Sequence, residues 1–360
     1  MAPHPKKTLI FEILDILEKY SDDYHTLTQQ EIVDKLSLRG ITVDRKSIKR
    51  NIEELIDMGY DILYTETKRY TKSRTTGELV ESNIWTDFHI IRDFTDSELR
   101  LMITSLMAAR NIPYKQSKDL VKKLEDLSSI YFHKRTNISG PSDNSANINQ
   151  DLFETMEILE EAIAKNLQIR MNYADYQTDK KLHLRTSTAE WNLGEPIKYR
   201  ISPYYIITNN ARLYLIASSY SRKEWHLNFY RLDRVKNIEL SEETRYPKEN
   251  VDGLGPNFNL SKFIEEHLYM QYSETVPVIF KIKKKFLGEL FDMFTGPISF
   301  SNETDTEVTV HTRVSYASMK SWAIQFSEHV IVTSPQGLVD DIKASLDTAK
   351  SQYLNESFST

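Results

Sequence analysis

Apolar residues near the N-terminus recur at steps of three and four positions. Between residues 6 and 19 they make one face of a predicted helix: Leu9, Ile10, Ile13, Leu14, Ile16 and Leu17. Thr28 and Glu31 have the spacing of a capping box and predict the start of a second helix. Asp44 is placed to cap a third helix over residues 45–58. Three short helices with a tight turn between the last two are typical of a helix-turn-helix.

Apolar and polar residues then alternate, first at Ile62 and Tyr64 and again from Val80 to Ile90. A period of two predicts two strands. The polar residues 67–77 between them predict a long hairpin tip. Together with the three helices, this hairpin predicts a winged helix-turn-helix DNA-binding domain over residues 1–92.

The rest of the chain predicts three further regions. Two helical patterns between residues 95 and 133 predict a helical connector over 93–166, with a linker in the turn-forming segment 137–147. Short β segments over 167–242 predict a small barrel. Strands and helices alternate over 243–360 and predict a linking segment and a small α+β domain. The predicted fold class is therefore α+β and multidomain.

Composition limits the possible partners and compartment. The 360 residues carry a net charge of −6 and contain no cysteine. The sequence therefore has no disulfide framework, thiol nucleophile or thiolate metal site. It shows neither a secretory signal nor an apolar run of the roughly 18 residues that a membrane span needs, so we expect a cytoplasmic protein. The layout of the chain is of bacterial type. A net negative chain can bind nucleic acid only through local basic patches.

Basic residues concentrate in two such places. The predicted third helix turns one polar face outward, which carries the candidate DNA contacts Arg45, Lys46, Ser47, Lys49 and Arg50. The major groove accepts one α-helix, with its N-terminal residues at the base edges. The hairpin tip adds Lys68, Arg69, Lys72 and Arg74 without an intervening acid. Although a charged helix face is most often only a solvated face, this arrangement favours binding of double-stranded DNA.

Three blocks of sequence in the β-rich region carry a family resemblance. They are Ser202-Pro203-Tyr204, Leu213-Tyr214-Leu215 and Tyr230-Arg231-Leu232-Asp233-Arg234. The chain resembles the WYL-domain transcriptional regulators, with Leu213 in place of the usual tryptophan. The resemblance implies a winged helix-turn-helix, a helical connector, an Sm-like, SH3-type WYL barrel and a C-terminal WCX extension. It also implies a homodimer.

The resemblance further implies an effector site in the barrel, with single-stranded nucleic acid or a nucleotide as its ligand. The matching residues are Ser202, Tyr214, Arg231 and Arg234. Asn228 stands where many relatives have a basic residue, and His226 on the same face can take its place. Arginine presents a planar fork to phosphate, and tyrosine presents a ring for base stacking. The two arginines equally fit structural ion pairs with Asp233 or a neighbouring carboxylate, and Tyr214 fits a half-buried strand residue.

No motif predicts catalysis. Walker, Rossmann, nucleophile-elbow and zincin patterns are missing, and the nine histidines lack ligand spacing. We therefore expect no enzyme, no metal and no cofactor. The sequence favours a dimeric, effector-controlled transcriptional regulator that binds an operator. The alternative is a nucleic-acid-sensing accessory protein that modulates a partner protein; an intact recognition helix speaks against it.

Overall fold

The computed structural model describes residues 8–72, 79–109, 112–135, 151–221 and 223–355. These residues form two compact units, the first within 1–109 and 114–144 and the second within 110–113 and 145–360. Within the described ranges, no helix combines the length and the apolar character needed to cross a membrane.

The first unit begins with three helices and a hairpin. Its described elements are α1 (Leu9–Tyr20), α2 (Gln29–Leu38), α3 (Arg45–Asp57), β1 (Ile62–Lys72), β2 (Leu79–Ile90), α4 (Asp96–Ala108), α5 (Tyr114–Glu125) and α6 (Ile130–Arg135). The apolar faces of α1 to α3 meet Phe88 and Ile90 of β2 in one buried core. Both predicted helix starts are confirmed: Thr28 and Glu31 form a reciprocal capping box, and Asp44 accepts the amide of Ser47 at 2.7 Å.

The hairpin and the second connector helix differ from the prediction. Residues 67–72 belong to β1 and pair with β2, for example Thr67 with Ile84, so the predicted tip is too long. Threonine and tyrosine in this stretch favour a strand, but because these residues are polar the stretch lacks the alternation of apolar and polar residues that predicts one. The second of the two helical patterns, which predicts one helix over residues 115–133, corresponds to two helices, α5 and α6. Between them the hydroxyls of Ser128 and Ser129 bond to carboxylates of Asp96 and Asp22. The predicted linker 137–147 lies outside the described residues.

The second unit contains two sheets. Its described elements up to residue 266 are α7 (Leu152–Lys165), β3 (Leu167–Tyr176), β4 (Leu182–Leu184), β5 (Lys198–Asn209), β6 (Arg212–Ser221), β7 (Glu224–Arg231), β8 (Val235–Thr244) and α8 (Leu260–Glu266). These strands form a sheet in the order β4-β3-β5-β6-β7, and β8 also pairs with β3. The pairing of the described strands is open and does not close into the expected barrel. A short 3-10 turn over Leu232–Arg234 carries the chain from β7 to β8, which pairs with β3 instead.

Strand β6 buries side chains on both faces. Leu215 and Ala217 pack with α7, while Ile216 packs on the opposite side against Phe263 of α8. The alternating sequence alone predicts that Leu215 and Ala217 share one face of this strand and that Ile216 lies on the other, and the structure confirms it. From the sequence, the adjacent asparagines Asn209 and Asn210 predict the turn between β5 and β6, and this prediction is one residue too early. Asn209 pairs with Arg212, and the two residues between them, Asn210 and Ala211, have φ of 48° and 57°. Two positive φ angles in a two-residue loop are typical of a type I′ hairpin turn.

The C-terminal part of the second unit is α+β, as predicted. Its elements are β9 (Thr275–Lys283), α9 (Leu287–Met293), β10 (Ser299–Ser301), β11 (Glu307–Ser315), α10 (Tyr316–Gln325), β12 (Val330–Ser334) and α11 (Gln336–Asn355). The strands pair in the order β10-β11-β9-β12. Trp322 of α10 is fully buried against Phe280 and Phe294 at the centre of this core.

Candidate functional site

The outer face of α3 presents two accessible cations. Ile48 and Ile52 are fully buried in the first unit, and this packing turns the intervening polar positions outward. Arg50 is 70% exposed, and its nearest carboxylate, Glu54, is 4.0 Å away. Lys46 is also exposed and has no ion pair among the residues that the structure describes. Both side chains are therefore available to a polyanion.

The other polar residues of this face are held by neighbours. Arg45 donates from Nε to the side-chain oxygen of Gln30 at 2.9 Å. The ammonium of Lys49 lies over the ring of Trp85 and 3.8 Å from a carboxylate oxygen of Glu53. The Ser47 amide donates to the Asp44 cap. Of the four cations predicted to contact DNA from α3, Arg45 and Lys49 are thus held by neighbours, Arg50 makes only the 4.0 Å ion pair with Glu54, and Lys46 has no ion pair within the described ranges.

Trp85 of β2 connects the hairpin to the helices, a role that the sequence analysis did not predict. Its ring stacks on Tyr64 at 3.8 Å between centroids, and its indole N–H donates to Glu66 at 3.2 Å. Its carbonyl accepts from the side chain of Gln29 in α2 at 3.0 Å. The only sequence signal was an aromatic residue in an alternating strand. Together with Lys49, these contacts fix the hairpin against α2 and α3.

The basic residues of the hairpin occupy paired strand positions. Lys68 pairs with Asn83 and Arg69 pairs with Ser82, so these two neighbours face opposite sides of the ribbon. Both are exposed. Lys72 is the last residue of β1, and Arg74 lies outside the described residues. The hairpin thus carries positive charge on both faces.

A cleft of about 680 Å³ runs along β7, the end strand of the larger sheet. Strand residues give it an aromatic wall: Tyr173, Tyr199, Tyr214, Tyr220, Phe229 and Tyr230. Tyr269, Met270 and Gln271, which follow α8, close another side. Tyr173 and Tyr230 are nearly buried and meet edge to face at 5.2 Å. Burial raises the pKa of Tyr230 to about 12, so its hydroxyl stays protonated at neutral pH.

Three arginines line this cleft, and two of them share one carboxylate. Arg185 of the segment after β4 donates to Asp175 from Nε at 2.5 Å and from Nη2 at 3.2 Å. Arg234 donates from Nη1 to the same Asp175 at 3.0 Å. Hydrogen bonds from Arg185 lower the pKa of Asp175, which keeps it ionised. The shared pairing leaves an excess of positive charge.

Arg231 has a carboxylate partner of its own. It forms a bidentate ion pair with Asp233, in which Nε donates to Oδ1 at 3.0 Å and Nη2 donates to Oδ2 at 2.5 Å. Asp233 is only 2% exposed. Its backbone amide donates to the hydroxyl of Tyr173 at 2.9 Å. The side chain of Arg231 still reaches the cleft. The structural ion pair and the cleft position therefore occur together at this residue.

Four of the five predicted effector residues come together in the cleft: Tyr214, His226, Arg231 and Arg234. Asn228 joins them and donates to the hydroxyl of Ser219 at 2.8 Å. Ser202 does not line the cleft. It is buried, and its hydroxyl accepts the amide of Tyr246 at 2.9 Å.

The Ser202-Pro203-Tyr204 block instead clamps one residue of the chain after β8. Ser202 accepts the amide of Tyr246, and the Tyr204 hydroxyl donates to the Tyr246 carbonyl at 2.9 Å. The same hydroxyl lies 2.8 Å from that of Ser218. Burial raises the pKa of Tyr204, so this hydroxyl remains a donor at neutral pH. The block therefore acts in positioning the polypeptide.

The cleft also contains residues that sequence reasoning missed. Tyr173 and Tyr199 come from β3 and β5, and Arg185 follows β4. Their position depends on strand register, such as the pairing of Met171 with Tyr199, which no local pattern specifies. Among the described residues, no group of three or more histidine, aspartate or glutamate side chains is arranged to hold a metal ion.

Comparison with known proteins shows which domain family the larger sheet resembles. Residues 154–240 match the model of the WYL domain. No curated protein matches the chain. Among solved structures, it is similar to the proteasome accessory factor B/C (PafBC) of Arthrobacter aurescens, at 15% identity and a TM-score of 0.26. That match covers 97% of this chain and 49% of PafBC, so the chain spans about half the length of that protein. It is also similar to a CRISPR Cas-related protein, at 13% identity and a TM-score of 0.36, over 97% of this chain and 87% of that one.

Proposed function

We propose that the chain is a sequence-specific, DNA-binding transcriptional regulator controlled by a nucleic-acid or nucleotide-like effector. The observation that carries the proposal is the exposed pair Lys46 and Arg50 on the capped N-terminal half of α3. A helix that presents cations in this way fits the major groove. The basic hairpin beside it supports the assignment of a winged helix-turn-helix, with phosphate contacts from Lys68 and Arg69.

The effector part of the proposal is supported by the cleft. Aromatic rings and guanidinium groups in one cleft suit the bases and phosphates of nucleic acid. Its volume of about 680 Å³ lies in the usual range of about 300–1,000 Å³ for small-ligand sites. Binding by stacking and charge needs no catalytic residue, cofactor or metal, and we assign none.

In the proposed organisation, the region that binds DNA and the region that binds the effector are separate. We assign DNA binding to residues 1–92, a helical connector to 93–166, a WYL sensor built on the open sheet to 167–242, and a WCX-like C-terminal region to 243–360. A single recognition helix reads only a few base pairs, so we propose a homodimer on a two-fold symmetric operator. The compartment that fits this role is the cytoplasm.

In vitro selection from random duplex DNA with the full chain tests the proposal. We expect one two-fold symmetric motif to be enriched, and to be lost with the variant Lys46→Ala/Arg50→Ala. Failure of the wild-type protein to enrich any motif at low salt would reject sequence-specific DNA binding. If single-stranded oligonucleotides still bind in that case, the chain is an accessory protein that senses nucleic acid.

A further inference from the structure

A second aromatic surface begins where the cleft ends. Tyr220 lines the cleft and is 44% exposed. Its ring lies 5.4 Å from that of Trp225, its cross-strand partner on β7. Trp225 itself does not line the cleft. Tyr220 is therefore common to the cleft and to an outer pair of rings, and we call Tyr220, Trp225 and Arg200 the outer track.

The outer track is rigidly supported. Trp225 stacks on Tyr246 with ring centroids 5.2 Å apart and planes 15° from parallel. Ser202 and Tyr204 hold the backbone amide and carbonyl of Tyr246, as described above. A ring fixed before binding loses little conformational entropy when a base stacks on it. The Ser-Pro-Tyr block thus stabilises a platform outside the cleft.

Cations accompany these rings. The guanidinium of Arg200 lies 5.5 Å from the centre of Tyr220 and 5.6 Å from that of Trp225. It shares the carboxylate of Glu243 with Arg170, at 2.5 Å and 3.2 Å respectively. Two guanidinium groups on one carboxylate leave a net positive charge, and both side chains are about half exposed. Arg200 also donates from Nε to Gln168 at 2.6 Å, so its remaining guanidinium N–H groups are the donors that the outer track offers to phosphate.

We propose that the outer track is a second subsite for a single-stranded nucleic acid, which continues from the cleft over Tyr220 to Trp225 and Arg200. The inference rests on the proposed function, because it takes the cleft as the first subsite. Base stacking on aromatic rings with backbone contacts to arginine is the usual chemistry of single-strand binding. A mononucleotide fills only the cleft, so the ligand that uses the whole surface is a strand of several nucleotides.

Titration of the full chain with labelled dT2, dT4 and dT8 at low salt tests the subsite. We expect the affinity of the wild-type protein to rise with length. Trp225→Leu should weaken dT8 about five- to 150-fold, the effect of losing one stacked base, and leave dT2 unchanged. Arg200→Gln should weaken dT8 and reduce its salt dependence. Trp225→Phe, which keeps a ring, should restore most of the affinity.

The controls separate the possible failures. Tyr353→Leu removes an exposed tyrosine from α11 and should change neither affinity. Unchanged dT2 binding by Trp225→Leu shows that its cleft is folded. If the wild-type protein binds no oligonucleotide, the proposed effector class is wrong. The outer track is not a subsite if the wild-type protein binds dT2 and dT8 with equal affinity. The same holds if neither Trp225→Leu nor Arg200→Gln changes the affinity for dT8. In both cases the proposed effector class stands.

Discussion

The ammonium of Lys49 lies 4.4 Å from the centre of the Trp85 ring. This contact joins α3 to β2 and makes Lys49 part of the link between the helix and the hairpin. A cation over tryptophan at this distance is worth about 0.5–1 kcal/mol at an exposed site. The four basic residues of α3 therefore have different roles: Lys49 orients the hairpin, Arg45 is bonded to Gln30, and Lys46 and Arg50 remain accessible to a ligand.

This division gives the first prediction. Changing Lys46 and Arg50 to alanine should weaken binding to the selected duplex by about 1–3 kcal/mol for each residue that contacts a base. Lys49→Met keeps the aliphatic stem and loses the charge. Because Lys49 lies against Trp85, this variant should weaken binding less than Lys46→Ala or Arg50→Ala. Fluorescence titration with the selected duplex and with a scrambled duplex measures the affinity of each variant. Wild-type affinity in the double variant would reject α3 as the recognition helix.

The hairpin should act differently. Lys68→Ala and Arg69→Ala should weaken selected and scrambled duplexes alike, since strand cations beside the backbone contact phosphate and not bases. Each lost phosphate contact should reduce the slope of log K against log salt by about one. Titrations at several salt concentrations supply the slope. A loss confined to the selected duplex would instead indicate that the hairpin reads bases.

A buried carboxylate predicts acid sensitivity in the first unit. Burial raises the pKa of Asp22, but hydrogen bonds from Ser129, His25 and the Tyr24 amide outweigh it and lower the pKa below its usual value. A lowered pKa stabilises the fold at pH values above about 4, where the unfolded carboxyl is ionised, and this stability is lost as pH falls below that value. Asp22→Asn should therefore lower the free energy of unfolding by about 1–3 kcal/mol at pH 7.

Urea unfolding at pH 7 and pH 3 measures this effect. The difference between wild type and Asp22→Asn should shrink at pH 3, because the carboxyl of unfolded Asp22 is then mostly protonated and the lowered pKa in the folded state no longer contributes its full stability. Asp23→Asn changes the exposed neighbour and serves as the control. An Asp22→Asn deficit that is equal at both pH values would show that the charge of Asp22 is unimportant.

Arg231 should affect stability as well as effector binding. Its removal leaves the carboxylate of Asp233, 2% exposed, without its partner. Breaking a buried pair from one side costs about 3–5 kcal/mol. Thermal unfolding should show a lower Tm for Arg231→Ala and a partial recovery for Arg231→Met/Asp233→Asn. An unchanged Tm for Arg231→Ala would mean that the pair contributes nothing to the fold.

The proposed dimer is the fifth prediction. Light scattering at micromolar concentration should give about twice the 42.1 kDa mass of the chain, because a two-fold operator needs two recognition helices. The same measurement on the complex with the selected duplex gives the stoichiometry. A protein that stays monomeric alone and on the duplex would contradict the symmetric arrangement.

Local patterns predicted the parts of the fold that depend on neighbours in sequence. The Thr28 and Glu31 capping box and the Asp44 cap follow from bonds within three residues. The alternation along β6 predicted which side chains share a face, since period-two facing is a property of the strand itself. The turn at Asn210-Ala211 was missed by one residue because either asparagine tolerates a positive φ.

The composition of the cleft depends on partners that are far apart in sequence. Asp175 and Arg185 lie ten positions apart, but Arg234 reaches the same carboxylate from 59 positions away. Nothing in the residues around Asp175 indicates that meeting. Ser202 illustrates the opposite case: a motif identified the residue, while its hydrogen bond to Tyr246 gives it a positioning role.

The carboxylate that Arg185 and Arg234 share has a consequence for selectivity. Asp175 already occupies donors that a phosphate would use, so it is a built-in competitor at that part of the cleft. A ligand gains there only the difference between its own bonds and those it displaces, which raises the concentration at which the site fills. Under the proposed function, we therefore expect simple anions to bind weakly there and a ligand that adds stacked rings to its phosphates to bind more tightly.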